Sequence, residues 1–250
     1  MSNDAHPHDL PAVVRLLWDL GEPSRRGPKP TFTRDDVVAA AIEVADAEGI
    51  TAVSMGRVAA QLGSSTMALY RYVASKDDLL TLMSDAAFGL PPEAPAGAGW
   101  RPRAEQWARA VRDEWTRRPW LLKLPVTGPP TGPRNLRWFD ACLAAFDGTG
   151  LDAAQRVSAT LLLSTYVRGE RHLMIDISSR PPEELAQTLI SYDVLAPLVS
   201  AEQYPALARM IADGEFDDDF GDDASGDDDF EFGLTAVLDG IAAAIERASA

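Results

Sequence analysis

Two short helical segments separated by a glycine turn limit the folds open to this chain more than any other feature. In the first segment, apolar residues recur at helical spacing from Met55 to Leu62, and Gly63 ends it. The second segment, residues 65–72, is too short to be a stable helix by itself, so it must pack against its neighbours. This arrangement predicts a helix-turn-helix.

Helical patterns also precede and follow these two segments. Thr33 and Asp36 are typical of a capping box, and the helix that they begin ends near Gly49. Ser75 begins a fourth helix that runs to about residue 89. Residues 33–83 are therefore expected to form a three-helix helix-turn-helix domain, to which the fourth helix is attached.

The rest of the chain is predicted to be helical as well. A linker rich in proline, glycine and alanine occupies residues 91–99. The helical segments expected after it are 101–118, 119–124, 134–147, 152–179, 182–195, 201–212 and 231–248. No segment shows sustained period-two alternation, so the fold class is all-α, with a larger helical domain at residues 100–250.

The net charge of −15 seems unsuited to nucleic-acid binding, but the charge is unevenly distributed. Residues 213–231 contain 11 acidic residues and no basic one, so the rest of the chain carries only −4. This acidic segment lacks the ligand register, the glycine and the terminal glutamate of an EF-hand, and a solvated loop is expected instead of a calcium site. Residues 24–89 are almost neutral, so DNA binding depends on where a few cations are placed.

The second helix of the predicted motif has an outward face that suits DNA. If Leu69 points inward, Met67 and Arg71 lie on the opposite side at 100° per residue. Their neighbours add two hydroxyl groups, so this face could contact a thymine methyl, phosphates and base acceptors. Tyr72 and Lys76 are placed for backbone phosphates. The alternative is that all of these are ordinary surface residues of a helical bundle.

The run TMALYRYV at residues 66–73, with Ser75-Lys76 and Leu79-Leu80 after it, closely resembles the recognition-helix signature of the TetR family of repressors. The resemblance covers about 50 residues. It implies base or backbone contacts from Thr66, Met67, Ala68, Tyr70 and Tyr72, and a phosphate contact from Lys76. Gly56 departs from the pattern, because relatives often carry arginine there.

The first 32 residues form an extension that contains a basic arm. Arg25, Arg26 and Lys29 lie in a stretch whose prolines and glycine forbid a regular element, and such an arm can enter the minor groove beside the main site. The alternative is a solvated tail. The complete set of candidate DNA-binding residues is Ser54, Ser65, Thr66, Met67, Ala68, Tyr70, Arg71, Tyr72, Lys76, Arg25, Arg26 and Lys29.

A weaker resemblance extends past the linker. The runs RPWLL at 118–122, GPP at 128–130 and DFEFGL at 229–234 are similar to the C-terminal domain of the tetracycline-repressor type. This resemblance implies a homodimer formed through the last two long helices and an unknown small-molecule effector. Apolar stripes at 161–163 with Val167, and at 234–245, are compatible with such a dimer, although each stripe could equally belong to the core.

A small-molecule pocket needs apolar walls and a few polar groups, and aromatic residues are numerous in this domain. The candidate ligand-binding residues are Trp107, Trp115, Trp138, Phe139, Tyr166 and His172. Each ring could instead fill the core, and His172 could simply lie at the surface.

These patterns predict a dimeric, sequence-specific DNA-binding transcriptional regulator, namely a repressor that a small molecule releases from a palindromic operator. The alternatives are an activator without a small-molecule ligand, or a helical protein-interaction module. An enzyme is not expected, because two of the three histidines (His6, His8) lie in a tail and no nucleophile, zinc or phosphate-loop motif is present. We expect no cofactor and no metal.

The single cysteine, Cys142, suits a reducing compartment. No basic and apolar leader opens the chain, and no apolar run approaches the roughly 18–20 residues that a membrane span needs. The expected location is the cytoplasm, without a membrane partner.

Overall fold

The computed structural model describes residues 10–20, 32–126, 128–178, 196–213 and 227–249, and every regular element within them is a helix. This confirms the all-α fold class. The α-helices, numbered along the described residues, are α1 (Ala12–Leu17), α2 (Arg34–Glu48), α3 (Met55–Gln61), α4 (Thr66–Leu69), α5 (Lys76–Ala86), α6 (Trp100–Arg117), α7 (Pro133–Ala145), α8 (Ala153–Ser178), α9 (Pro205–Ala212) and α10 (Asp227–Ser249). Short 3₁₀ helices span Ile50–Ala52, Pro119–Lys123 and Ala196–Leu198.

Three sequence predictions lie wholly or mostly outside these residues: the basic arm with Arg25, Arg26 and Lys29, the helix expected at 182–195, and the acidic loop expected at 213–231. Within the described part of the chain, no helix combines the length and the apolar character needed to cross a membrane.

A capping box begins α2, as the sequence predicts. The Thr33 hydroxyl accepts a hydrogen bond from the Asp36 backbone N–H at 3.2 Å, and the Asp36 carboxylate accepts one from the Thr33 N–H at 2.7 Å. Hydrogen bonds from the backbone and the hydroxyl of Thr33 hold the pKa of Asp36 below its usual value. This helix packs against α3 and α5 and forms the centre of the N-terminal domain.

The turn between α3 and α4 is built as a helix-turn-helix requires. Gly63 takes the left-handed conformation, with φ of 60°, that glycine adopts without steric cost. The helix α4 ends at Leu69 and is shorter than the predicted segment 65–72, although the Val73 N–H still makes an α-helical hydrogen bond to the Leu69 carbonyl at 3.1 Å. The Tyr72 N–H then donates to the Leu69 carbonyl at 2.8 Å in a tighter, 3₁₀-like turn, a common way for helices to end.

The N-terminal helix α1 packs against α5 and also reaches the C-terminal domain. The Trp18 indole N–H donates to the carbonyl of Thr131 at 2.8 Å, and Asp19 forms a 2.7 Å ion pair with Arg34 at the start of α2. The extension is thus attached to both domains before the chain enters the basic arm.

The core of the C-terminal domain is formed mainly by α6, α7, α8 and α10. Phe146 and Leu163 are completely buried in it, and so is Cys142. Burial raises the pKa of the Cys142 thiol to about 12, so the thiolate is scarcely populated at neutral pH.

The last helix begins earlier than predicted, which corrects the assignment of residues 213–231 to one acidic loop. Residues 227–231 form the first turn of α10, while residues 214–226 lie outside the described part. Three aspartates in this turn favour the helix, because a helix N-terminus carries partial positive charge. Arginines of α6 also pair with the turn: Arg112 lies 2.6 Å from Asp227, and Arg109 donates two hydrogen bonds to Glu231. The hydrogen bonds from Arg109 lower the pKa of Glu231.

Candidate functional site

The outward face of α4 lies where helical geometry places it. Leu69 and Val73 are buried, with exposed fractions of 0% and 1%. On the opposite side Met67 is 77% exposed, Tyr70 is 47% exposed, and Arg71 is exposed as well. The orientation of the recognition segment is therefore confirmed, and its free surface combines an apolar, a phenolic and a cationic group. DNA contact by these residues stays a prediction.

The serines in the candidate set have a structural task. The Ser54 hydroxyl accepts from the Arg57 N–H at 3.2 Å and begins α3, while the Ser65 hydroxyl accepts from the Ala68 N–H at 3.3 Å and begins α4. Both residues are exposed. Because an N-cap hydroxyl satisfies a helix end, these serines fix the two helices of the motif whatever else they contact.

Tyr72 and Lys76 flank the recognition helix differently. The Tyr72 ring is half-buried and packs against Phe32, the first described residue after the basic arm in sequence, with ring centroids 5.0 Å apart. Lys76 is the first residue of α5, directly after its N-cap Ser75, and is exposed. Of the remaining candidates, Thr66 and Ala68 are half-buried at the sides of α4.

Another cation of the motif already has partners within the protein. Arg57 on α3 donates from Nε and Nη2 to one oxygen of Glu48, at 3.0 and 2.6 Å, and from Nη1 to Gln61. Beside it, Gly56 is exposed, and a Cβ built on it would have no atom within 4 Å. Position 56 on α3 therefore has space for a side chain. The cation next to it, Arg57, is already paired with Glu48.

The predicted ligand-binding tryptophans form one buried cluster, and one of them, Trp107, also lines a small cavity. Trp107, Trp115 and Trp138 are 4–6% exposed, and Phe88 contacts two of them edge-on. The Trp107 indole N–H donates to the carbonyl of Trp138 at 2.8 Å, so this polar group is satisfied inside the protein. The alternative of core filling thus describes their packing, and ligand contact by them stays a prediction.

The other three candidates are not among the contacting rings of this cluster. Tyr166 stacks on Phe230, and its hydroxyl donates to the Phe230 carbonyl at 2.7 Å. His172 is exposed, with Nδ1 at 3.3 Å from the carboxylate of Asp176, and Phe139 is half-buried. The structure therefore brings together the tryptophans but does not unite all six residues in one site.

Two cavities stand out among the described residues, and the first includes the candidate Trp107 in its lining. The first has a volume of about 120 Å³, below the range of roughly 300–1,000 Å³ that small-molecule sites occupy. Its lining residues are Pro92, Ala94, Arg103, Gln106, Trp107, Ala141, Ala144 and Ala145. The second is a wider cleft at the interdomain boundary, lined by Gly89, Leu90, Pro133, Arg134 and Arg137.

A polar cluster between α6, α8 and α10 is not among the candidate ligand-binding residues that the sequence predicts. Glu170 and Arg171 have side chains only 10% exposed, and Arg112 lies 3.5 Å from Glu170 and over the ring of Phe230. Both Glu170 oxygens and the Arg171 Nε are buried without a hydrogen-bond partner among the described residues. Burial lowers the pKa of Arg171. One signal was available, since Arg171 continues the buried stripe of Leu163 and Val167 at four-residue spacing.

The two stripes expected at a dimer interface differ in exposure. On α10, Leu234, Leu238 and Ile241 are buried within the protein, so this stripe belongs to the core. On α8, Leu163 and Val167 are buried as well, whereas Leu161 and Leu162 of the same stripe are 55% and 49% exposed. Further exposed apolar residues on these helices are Val157, Leu173, Ile177 and Phe232.

Family comparisons match both parts of this architecture. Residues 37–83 match the family described as "Bacterial regulatory proteins, tetR family", and residues 91–245 match "Tetracyclin repressor-like, C-terminal domain". The chain belongs to the TetR family. It is accordingly a transcriptional regulator with an N-terminal DNA-binding domain, and the resemblance inferred from the recognition helix is confirmed.

Individual relatives of this TetR-family protein match over nearly its whole length. It is 38% identical over 247 residues to the HTH-type transcriptional repressor DrrR1 of Streptomyces coeruleorubidus, with 93% of this chain and 86% of the relative covered. Apo ActR of Streptomyces coelicolor matches with a TM-score of 0.71 and 26% identity, covering 88% of this chain and 99% of ActR. ActR in complex with actinorhodin matches with a TM-score of 0.69 at the same identity, covering 86% and 99%.

Proposed function

We propose that this protein is a dimeric repressor that binds a palindromic operator and is released by a small organic molecule. The observation that carries the proposal is the face of α4, where Met67, Tyr70 and Arg71 are exposed while Leu69 and Val73 are buried. A helix held in this way can enter the major groove. The relative DrrR1 is itself named a repressor. The proposal places the action of the protein in the cytoplasm, where bacterial operator DNA lies.

In this proposal the DNA contacts come from four parts of the N-terminal domain. The α4 segment supplies Thr66, Met67, Ala68, Tyr70 and Arg71, the helix N-caps supply Ser54 and Ser65, and Tyr72 and Lys76 contact phosphates. The basic arm with Arg25, Arg26 and Lys29 enters the adjacent minor groove. A twofold dimer places two recognition helices about one DNA turn apart, so the operator is palindromic.

The dimer in this proposal uses the exposed apolar residues of α8 and α10. Leu161, Leu173 and Phe232 are 55%, 57% and 79% exposed, and a twofold contact between copies of these helices would cover them. The ligand enters the C-terminal domain, and two observations support this step. The first is the polar cluster of Glu170 and Arg171 with its unsatisfied atoms, since each such buried group calls for a partner. The second is the ActR structure with bound actinorhodin.

Selection of binding sequences from a randomised duplex pool, followed by gel shift, tests the proposal. We expect enrichment of an inverted repeat. Lys76→Ala should then weaken binding uniformly across sequences and lower the slope of log affinity against log salt by about 1, as the loss of one phosphate contact does. Lys123→Ala, which removes an exposed lysine from the C-terminal domain, is the matched control and should leave the slope unchanged. If no sequence is enriched at moderate salt, the proposed function is wrong.

A gain of affinity is expected from Gly56→Arg. The position is exposed and has no atom within 4 Å of a Cβ, so the arginine is accommodated and adds a cation beside the recognition helix. The salt slope should steepen by about 1. Gly56→Ala is the control, since it improves helix propensity by about 0.5–1 kcal/mol without adding charge. An equal gain of affinity in both variants would show that position 56 lies away from the DNA.

A further inference from the structure

The two domains are joined by a reciprocal set of hydrogen bonds at the end of α5. From the N-terminal domain, the buried carboxylate of Asp85, 6% exposed, accepts hydrogen bonds from two backbone N–H groups in the first turn of α7. The Arg134 N–H lies at 3.1 Å and the Asn135 N–H at 2.9 Å from its Oδ1. A carboxylate at a helix N-terminus satisfies otherwise unpaired N–H groups and interacts favourably with the helix dipole.

The C-terminal domain in turn caps α5. The last carbonyl groups of a helix have no partner within it. Here the Ala86 carbonyl accepts from Arg134 Nη1 at 2.6 Å, and the Ala87 carbonyl accepts from Arg118 Nη1 at 2.7 Å. Just beyond them, the indole N–H of Trp138 donates to the Gly89 carbonyl at 2.8 Å. The end of α5 is therefore held by side chains of the other domain.

The contact between the end of α5 and the start of α7 is too close for the two helices to slide past each other. At Gly132, the N-cap of α7, a Cβ would lie 2.1 Å from Asp85 Oδ1, so only glycine permits the approach. Any movement of α7 must either carry Asp85 with it or leave a buried carboxylate without its donors. The second outcome is costly, which favours discrete arrangements over gradual adjustment.

The opposite end of α5 lies at the candidate DNA surface, because Lys76 is its first residue. The helix has 11 residues, or roughly 16 Å at 1.5 Å per residue, and it packs against α2 and α7. A tilt of α5 at Asp85 would thus reorient the helix-turn-helix. We propose that Asp85 is a positioning residue that fixes the angle of α5, and through it the spacing of the two recognition helices in the dimer. The inference rests on the proposed function.

The test uses the full-length protein and measures tolerance to half-site spacing. After the operator has been selected with the wild type, affinities are measured for the native spacing and for spacers changed by one and two base pairs. Asp85→Asn keeps the shape and one acceptor, but it removes the negative charge at the start of α7 and turns the second acceptor, 3.3 Å from the Arg134 N–H, into a donor. We expect its affinity for the native spacing to fall by about tenfold, within the 5- to 150-fold range typical of site coupling. Its discrimination between spacings should fall by a similar factor, while binding to an isolated half-site is unchanged.

Two further variants make the result decisive. Arg134→Ala removes the hydrogen bond to the Ala86 carbonyl. Because Arg134 is exposed, this variant tests the same contact between α5 and α7 with less risk to folding. Its discrimination between spacings should fall by about threefold. Asp140→Asn removes an exposed carboxylate from α7 and is the matched control, expected to behave as the wild type.

The outcomes separate the inference from the proposed function. One outcome is that the wild type selects no operator, and another is that it selects single half-sites without a preferred spacing between them. In either case the proposed function is wrong, and the inference is wrong with it. If an operator is found and folded Asp85→Asn and Arg134→Ala both keep the spacing preference of the wild type, only the inference is overturned. An equal loss of affinity on half-sites and full operators would show that Asp85 merely stabilises the fold.

Discussion

Leu69→Ala is expected to abolish operator binding by releasing the recognition helix from its domain. Leu69 is completely buried, and truncation of such a leucine costs about 2–5 kcal/mol. The helix α4 has only four residues, so it has no stability of its own once this anchor is lost. We expect a large decrease in the free energy of unfolding, measured by urea denaturation, together with loss of the gel shift.

Met67→Ala, two residues away on the same helix, is the matched control. Met67 is 77% exposed, so the free energy of unfolding should change by less than about 0.5 kcal/mol. Operator affinity should still fall, because the proposed apolar base contact is lost. If Leu69→Ala leaves unfolding unchanged, or if Met67→Ala proves to be the more destabilising of the two, the assignment of inner and outer faces is wrong.

The second large effect is expected for Gly233→Ala on α10. A Cβ at Gly233 would lie 2.3 Å from the Tyr166 hydroxyl oxygen and 2.6 Å from ring carbons, and the Tyr166 ring is held by stacking on Phe230 and by its hydrogen bond to the Phe230 carbonyl. Overpacking of this kind costs about 1–3 kcal/mol. Because α8 and α10 must separate to admit the methyl group, the proposed dimer should weaken as well.

Gly240→Ala provides the control for this variant, since it lies on the same helix and has no atom within 4 Å of a Cβ. It should stabilise the protein by about 0.5–1 kcal/mol through helix propensity alone. Thermal unfolding and sedimentation equilibrium of the two variants measure the contrast. Equal stability of Gly233→Ala and Gly240→Ala would mean that the tight contact between α8 and α10 is absent in solution.

The parts of the fold that depend on local sequence could be predicted. The capping box of Thr33 and the inward direction of Leu69 follow from spacing, because a helix repeats every 3.6 residues and its ends need specific side chains. The early end of α4 could not be predicted, since the choice between α and 3₁₀ hydrogen bonding after Leu69 is made by packing. The start of α10 was missed for a related reason. An acidic run is typical of a solvated loop, and only the contact with Arg109 and Arg112 shows that residues 227–231 continue the helix.

The candidate sites also divide into a part that local sequence predicts and a part that depends on distant segments. The exposed face of α4 could be assigned from one short segment, whereas a ligand site requires residues from several helices. Trp107 and Trp138 lie in contact in the structure, but spacing along a helix does not distinguish the wall of a cavity from a filled core. Asp85 carries no local sign of its role, since its partners Arg134 and Asn135 lie about 50 residues away.

The reciprocal capping at the end of α5 also bears on how such proteins can be recombined. The composition of residues 91–99 marks a domain boundary. This linker therefore looks like the place to join the N-terminal domain to the C-terminal domain of another regulator. A chimaera cut there would separate Asp85 and the carbonyls of Ala86 and Ala87 from the arginines and backbone groups that satisfy them. The unit that can be exchanged therefore extends beyond the linker. A working chimaera must keep Gly132, Arg134 and Trp138 together with the N-terminal domain that they contact.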